Sequence, residues 1–340
     1  MDKKNKLYLI LLIISATLLF SVSIFVGSVN IPFKSIIEIL LSDYSQNQSW
    51  NIIILETRLP KAIAAISCGI ALSISGLQMQ TLFKNPLAGP YILGISSGAG
   101  LGVAIFIMGL NFLGFSATNN QYGLITFSIL GSLMVLAILL SVINRLKDIM
   151  TVLILGVMIG SVITAIIGII QFFSYDAQLK SFIMWTMGDL SAVTNSQLSI
   201  LTPIVVFGFL LSIALSKPLN TYLLGEKSAI SLGLNIKRYR TLVIIVTAVL
   251  TGSVTAFCGP IGFIGIVVPH IARMITKTYN HFILIPFSAI LGVNIILLAD
   301  IISQLPGLEK SLPINSVTSL IGIPFIIWII FRNKRISSLN

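Results

Sequence analysis

The sequence predicts an all-α polytopic membrane protein of about ten transmembrane helices. Composition is the first reason: 56% of the 340 residues are hydrophobic, only 9% are charged, and the mean hydropathy is +1.03. That is too little charge to cover a soluble globule of this size. The second reason is that apolar runs of about twenty residues recur along the chain, each able to cross a hydrocarbon layer of about 30 Å. The third is where the basic residues fall. Lys and Arg collect in alternate connections between the runs, as expected of inner loops. The net charge of +11 is thereby explained by orientation, and nucleic-acid binding gains no independent support.

Met1 to Lys6 is basic, and Leu7 to about Val29 is read as an uncleaved first span, since no small-x-small cleavage pattern closes it. Ile31 to Trp50 carries I-I-E-I-L-L, a short surface helix on the outer side. The second span is expected from Arg58 to Phe83 and the third from Tyr91 to Leu110. A polar outer loop follows at Asn111 to Gln121, and the fourth span at Gly123 to Ile143. Arg145, Lys147 and Asp148 make an inner turn before the fifth span, Met150 to Phe173. Ser174 to Asn195 is too polar to cross, and its W-T-M-G-D-L suggests a short helix at the outer interface, where Trp is favoured.

The sixth span, Ser196 to Leu215, returns to the basic side. There lies the longest inner segment, about 216–240, with Lys217, Lys227, Lys237, Arg238 and Arg240. Thr241 to Cys258 and Ile261 to Ile275 follow as two short apolar pieces, interrupted at Gly259-Pro260 and at Pro269. Phe282 to Ile302 and Leu312 to Phe331 complete the set before a basic tail, Arg332 to Arg335. An even number of crossings puts both termini in the cytoplasm, and the whole of 1–340 reads as one membrane domain. The inward second span ends near Gly89-Pro90 and the outward seventh near Gly259-Pro260. Opposed directions with matching breaks suggest inverted-topology halves, spans two to five and seven to ten.

Residues that carry chemistry are scarce. The only approach to a phosphate-binding loop is Gly225-Glu226-Lys227-Ser228, which lacks the leading glycine of G-x-x-x-x-G-K-[ST]. His270 and His281 form no ligand set. Cys68 and Cys258 lie in apolar runs, where they read as small buried hydrophobes and not as a disulfide. No cofactor, metal or catalytic residue is therefore expected. Asp300 is the one acidic residue within a span, and it leaves open an ion-coupled secondary transporter.

The chain is organised around Arg58 to Gly102, where an apolar run rich in small residues is cut by Lys84-Asn85-Pro86 and a glycine-rich run follows. Small residues at one-turn spacing let membrane helices approach backbone to backbone. R-L-P-K, G-x-x-L-x-x-S-G-x-x-x-Q, K-N-P-L-A-G-P and L-G-I-S-S-G-A fall in this stretch. Together with G-P-I-G-F-I-G-I-V-V-P-H-I-A-R (Gly259 to Arg273) and L-P-I-N-S-V-T-S-L-I-G-I-P-F (Leu312 to Phe325), they resemble the FecCD/BtuC-type permeases of ABC importers.

That resemblance implies a BtuC-like (type II) importer permease for an iron-siderophore complex, haem or cobalamin, sited in the cytoplasmic membrane as a homodimer. Its partners would be two ATP-binding subunits and an extracytoplasmic substrate-binding protein. L-L-G-E-K-S-A-I-S-L-G-L would dock on the ATPase through Leu224, Gly225, Glu226, Ala229, Leu232 and Gly233; from spacing alone, a basic loop that only fixes orientation serves equally. Arg58 and Lys61 would meet acidic residues of the binding protein, against the plainer reading of interfacial anchoring. Asn85, Pro86, Ser96, Ser97, Gly98 and Thr151 would line or gate the conduit, against a reading of simple packing. Where the family often carries an Arg after the ninth-span Asp, this chain has Ser303-Gln304. His270 and Arg273 lie one turn apart on a shared helix face and read as a structural polar pair.

Overall fold

The computed structural model describes residues 2–27, 29–42, 47–110, 121–143, 148–304 and 311–337. The described residues are almost wholly helical. In chain order the helices are α1 (Lys3–Phe25), α2 (Phe33–Ser42), α3 (Gln48–Leu82), α4 (Ile95–Gly109), α5 (Gln121–Ile143), α6 (Ile149–Phe172) and α7 (Asp176–Thr186). They continue as α8 (Asn195–Ala214), α9 (Ser216–Leu223), α10 (Glu226–Ser231), α11 (Ile236–Cys258), α12 (Ile264–Thr276), α13 (His281–Ser303) and α14 (Ile314–Ser337). Among them 7 are long and apolar enough to cross a membrane, and three shorter apolar helices, α4, α12 and the apolar part of α14, stand where the remaining spans are expected. The expected outer loop at 111–120 and the inner turn at Arg145 and Lys147 lie outside the described residues.

Helix α3 is the hub. It packs against α13, α11, α12, α8 and α1, and almost every side chain from Ala62 to Leu82 is buried. Glycines make this possible. A Cβ on Gly76 would sit 1.8 Å from the carbonyl oxygen of Gly265 in α12, and one on Gly69 would sit 2.6 Å from the backbone of Gly292 in α13. The Gly265 carbonyl is available for that contact because Pro269, four residues on, has no N–H to bond it. Proline in α12 thus exposes an acceptor to the hub without breaking the helix, which runs unbroken from Ile264 to Thr276.

Three further expectations are corrected. The hub helix begins at Gln48 and not at Arg58, so its 35 residues extend about 50 Å, well past the hydrocarbon layer. Pro60 is therefore internal, and the six residues before Leu59, Ile53–Arg58, form a π-turn. The seventh span begins at Ile236, five residues before the expected Thr241. On the outer side, α7 ends at Thr186, and Met187 to Leu190 form a turn with Gly188 at φ 73 instead of a short helix.

The two breaks meet inside the protein. Gly94 (φ 74) precedes short α4 and Gly259 (φ 73) precedes short α12, so each half runs long helix, left-handed glycine, short helix. Non-helical backbone at this depth needs internal partners. Tyr91 Oη donates to the carbonyl of Ile261 at 2.5 Å, and Ile261 N–H donates back to that hydroxyl at 3.1 Å. Gly262 N–H donates to Asn315 Oδ1 at 2.9 Å, and Asp189 N–H to the Cys258 carbonyl at 2.9 Å. Cys68 and Cys258 are free thiols, buried, with sulfurs 3.4 Å apart.

Candidate functional site

The segment 216–240, expected on the inner side, folds as two short helices around a glycine corner. Gly225 has φ 99 and Gly233 φ 85, and a Cβ at either would meet no atom within 4 Å. The backbone angle alone therefore demands glycine at both. Ala229 is buried and seats α10 on the body, whereas Leu224 and Leu232, each 64% exposed, and Ile230, 59% exposed, face outward. The segment is anchored by its own polar residues. Glu226 accepts a hydrogen bond from Tyr222 Oη at 3.0 Å and forms an ion pair with Arg240. Tyr222 and Tyr239 rings lie 4.8 Å apart. Burial, with the Glu226 carboxylate adding to it, pushes the Tyr222 hydroxyl up to about 12, so it remains a donor throughout the physiological range. Glu226 thus serves the fold of the segment, and three large apolar side chains, Leu224, Ile230 and Leu232, are left exposed.

The expected conduit residues separate into two groups. Ser97 faces a groove of about 420 Å³ shared with Tyr91, Gly94 and the small face of α6, Gly156, Gly160, Ser161 and Thr164. Ser96 is half-buried and does not line that groove. Gly98 is a correction: a Cβ there would lie 2.5 Å from the carbonyl oxygen of Gly131 in α5, so it is occupied in helix crossing and lines nothing. Asn85 accepts from Leu87 N–H at 2.9 Å and holds the turn after α3, and Pro86 is exposed beside it. Thr151 is exposed in the first turn of α6, 3.5 Å from the capping carboxylate of Asp148.

At the outer end the two cations do not project. Arg58 is 5% exposed, and its guanidinium donates to the carbonyls of Ile24 (2.9 Å), Phe25 (3.1 Å) and Val29 (2.5 Å). It closes the last turn of α1, whose final carbonyls lack helical partners. An outward role for Arg58 is corrected on that ground. Lys61 Nζ lies 2.8 Å from Asp300 Oδ1. Asp300 is 1% exposed and also accepts from Ser23 Oγ at 3.0 Å and Gln304 Nε2 at 2.9 Å. Gln304, standing where an arginine was expected, is turned inward to that same carboxylate. Lys61 and Asp300 form the floor of an outer cavity of about 280 Å³, walled by Trp185, Asp189, Phe257 and Gly259.

Sequence reasoning missed the polar interior of α3. Gln78 donates to Ser212 Oγ (2.8 Å) and accepts from Thr247 (3.0 Å), tying α8 and α11 to the hub. Gln80 donates to the Ile266 carbonyl at 3.0 Å and accepts from Arg273, which turns to the hub. The signal was present as Q-M-Q-T inside an apolar run: buried amides in a membrane are retained where they are paired.

Apolar helices around a glycine-rich hub, small residues along one groove and an apolar inner segment define a polytopic transport protein. The chain belongs to the FecCD transport family, which it matches over residues 11–332. It is 36% identical over 284 residues to the vitamin B12 import system permease protein BtuC of Salmonella typhi, covering 82% of this chain and 84% of that one. It is 32% identical over 327 residues to the hemin transport system permease protein HmuU of Yersinia pestis, covering 95% and 96%. A solved metal-chelate-type ABC transporter in an inward-facing conformation superposes with a TM-score of 0.83 at 27% identity, covering 96% of this chain and 99% of that one. The protein is accordingly a multi-pass permease subunit of an ABC importer, a class whose ATPase and substrate-binding protein are separate chains.

Proposed function

We propose that the chain imports an iron chelate (a siderophore complex), haem or cobalamin across the cytoplasmic membrane by alternating access, as a homodimer on two ATP-binding subunits with both termini cytoplasmic. The observation that carries this reading is the inner segment: Leu224, Ile230 and Leu232 are exposed on a unit otherwise tightly anchored. Burying such side chains contributes about 1.5–3 kcal/mol each, enough for a groove on an ATPase to hold them. The relatives' names supply the substrate class. Ser97, with the turn at Asn85 and Pro86 and the inner mouth at Thr151, lies along the path. The binding protein docks on the outer rim at the head of α3, where Lys61 lines the cavity and Arg58 braces the rim from within.

The rival reading, ion coupling through Asp300, asks for a carboxylate free to exchange its partner. Here Lys61, Ser23 and Gln304 hold both its oxygens. The test of function is deletion of the chain followed by growth on haemin, cobalamin or single ferric siderophores as sole source. Loss of growth on one of them, restored by the intact chain and not by Leu224→Asp with Leu232→Asp, is expected. Unaltered growth on all of them contradicts the proposal.

A further inference from the structure

Where α9 meets the body, four side chains form one hydrogen-bonded chain, and the backbone dictates the proton positions on the first three, Asn280, Asn220 and His281. Phe282 N–H donates to Asn280 Oδ1 at 3.0 Å, so the amide of Asn220 presents its Nδ2 there, at 2.9 Å. Asn220 Oδ1 in turn accepts the His281 backbone N–H at 2.8 Å and, having only lone pairs, the ring proton on His281 Nδ1 at 2.7 Å. In the neutral ring Nε2 then accepts, and the Thr81 hydroxyl, 2.8 Å from it, divides its single proton between that nitrogen and the Leu77 carbonyl at 2.9 Å. His281 and Thr81 are 1% and 3% exposed.

The chain links places that matter for coupling. Asn220 lies on α9, four residues before the exposed Leu224; Thr81 lies in the last turn of α3, just before the turn at Asn85 to Leu87. A second tie runs parallel, with Lys84 Nζ 5.1 Å from the centre of the Tyr222 ring. Beside Thr81, Gln80 carries any movement of the α3 terminus into α12 through Ile266 and Arg273. Apolar contact alone would let α9 slide over the bundle, because dispersion is not directional. A buried amide and imidazole in fixed register do not slide without leaving polar groups unpaired, at about 1–3 kcal/mol each.

We infer that Asn220, His281 and Thr81 are positioning residues that transmit displacement of the coupling segment to the inner end of α3, and so to the turn at Asn85 to Leu87. The inference rests on the reading of α9 and α10 as the ATPase-docking unit. It is tested on the complete complex with its ATP-binding subunits in vesicles, using Leu87→Cys, an exposed position, as reporter. The rate of reaction with a charged maleimide is measured with and without ATP and orthovanadate, above the background of the two buried native thiols. The otherwise intact complex should show a change of about fivefold or more, the lower range of energetic coupling between sites.

Thr81→Val, which keeps shape and removes the hydroxyl, should abolish most of that change while ATP hydrolysis stays near its usual rate, and Thr81→Ser should restore it; Asn220→Leu, within the docking unit itself, should abolish the change as well. If Asn220→Leu does not assemble, the Thr81→Val and Thr81→Ser pair carries the test. Full retention of the change in Thr81→Val overturns the inference and leaves the docking assignment standing. Hydrolysis falling in step with the label response marks a merely structural role and also overturns it. Absence of any nucleotide effect in the intact complex defeats the docking assignment itself.

Discussion

The inner segment and the outer cluster were both expected to be docking surfaces, and they are built in opposite ways. Inside, the charged group Glu226 is turned back onto Tyr222 and Arg240, and apolar side chains are left facing out. Outside, both cations are turned back, Arg58 onto carbonyls and Lys61 onto Asp300, and the rim that remains is a cavity. Both sites use charge for internal order. Only the inner one leaves a surface whose burial has a large driving force, as suits a permanent partner; a partner that must come and go is better served by the other.

Several substitutions would break or sharpen this contrast. The largest effect on stability belongs to Asp300→Ala, which removes the carboxylate paired with Lys61 and leaves Asp189, on the wall of the same cavity, as the remaining acid there. Breaking a buried pair costs about 3–5 kcal/mol, read as a lowered unfolding temperature in detergent. Combining it with Lys61→Met should recover most of the loss. If the single change is silent, the outer pair is not structural and the contrast fails. Arg58→Ala comes next: loss of hydrogen bonds from a charged donor costs about 1.5–3 kcal/mol, and α1 should become the first segment released in limited proteolysis. Arg58→Lys should not restore it, because one ammonium nitrogen replaces the two guanidinium nitrogens that reach Ile24 and Phe25 on one side and Val29 on the other.

Glu226→Gln should have a smaller effect. The carboxylate is 39% exposed, so solvent screening holds the lost ion pair to about 1 kcal/mol or less, seen as faster amide exchange across α9 and α10. The least effect on stability, within about 0.5 kcal/mol, is expected of Leu224→Asp with Leu232→Asp. That variant should nonetheless lose ATPase subunits on purification by tenfold or more, which is about 1.4 kcal/mol. A stable variant that keeps its ATPase would show that the exposed leucines bind nothing.

Much of this was legible in the sequence, for identifiable reasons. Ten apolar segments, their order and the central place of Arg58 to Gly102 follow from hydropathy and small-residue spacing, which respond to bilayer thickness and helix contact. The glycine corner was legible from the family motif, whereas spacing alone served a basic loop equally and did not say which of its apolar side chains face outward. The destinations of long polar side chains were not legible. Arg58 reaches residues thirty positions earlier and Lys61 pairs with Asp300 far along the chain; no local period encodes such pairing. Gly98 misled for a related reason, since a small residue fits a conduit wall and a helix crossing equally well, and only Gly131 across from it decides.

The central claim is that nucleotide hydrolysis in separate subunits, gripping Leu224 to Leu232, opens this chain. The direct measurement is uptake of haemin, cobalamin and a ferric siderophore, each with its binding protein, into vesicles holding the complete complex with a protonophore and a sodium ionophore present. Accumulation of one of them that survives collapse of both gradients and stops when the ATPase is inactivated is the predicted result. Accumulation by this chain alone, driven by a gradient and abolished by Asp300→Asn, would contradict it.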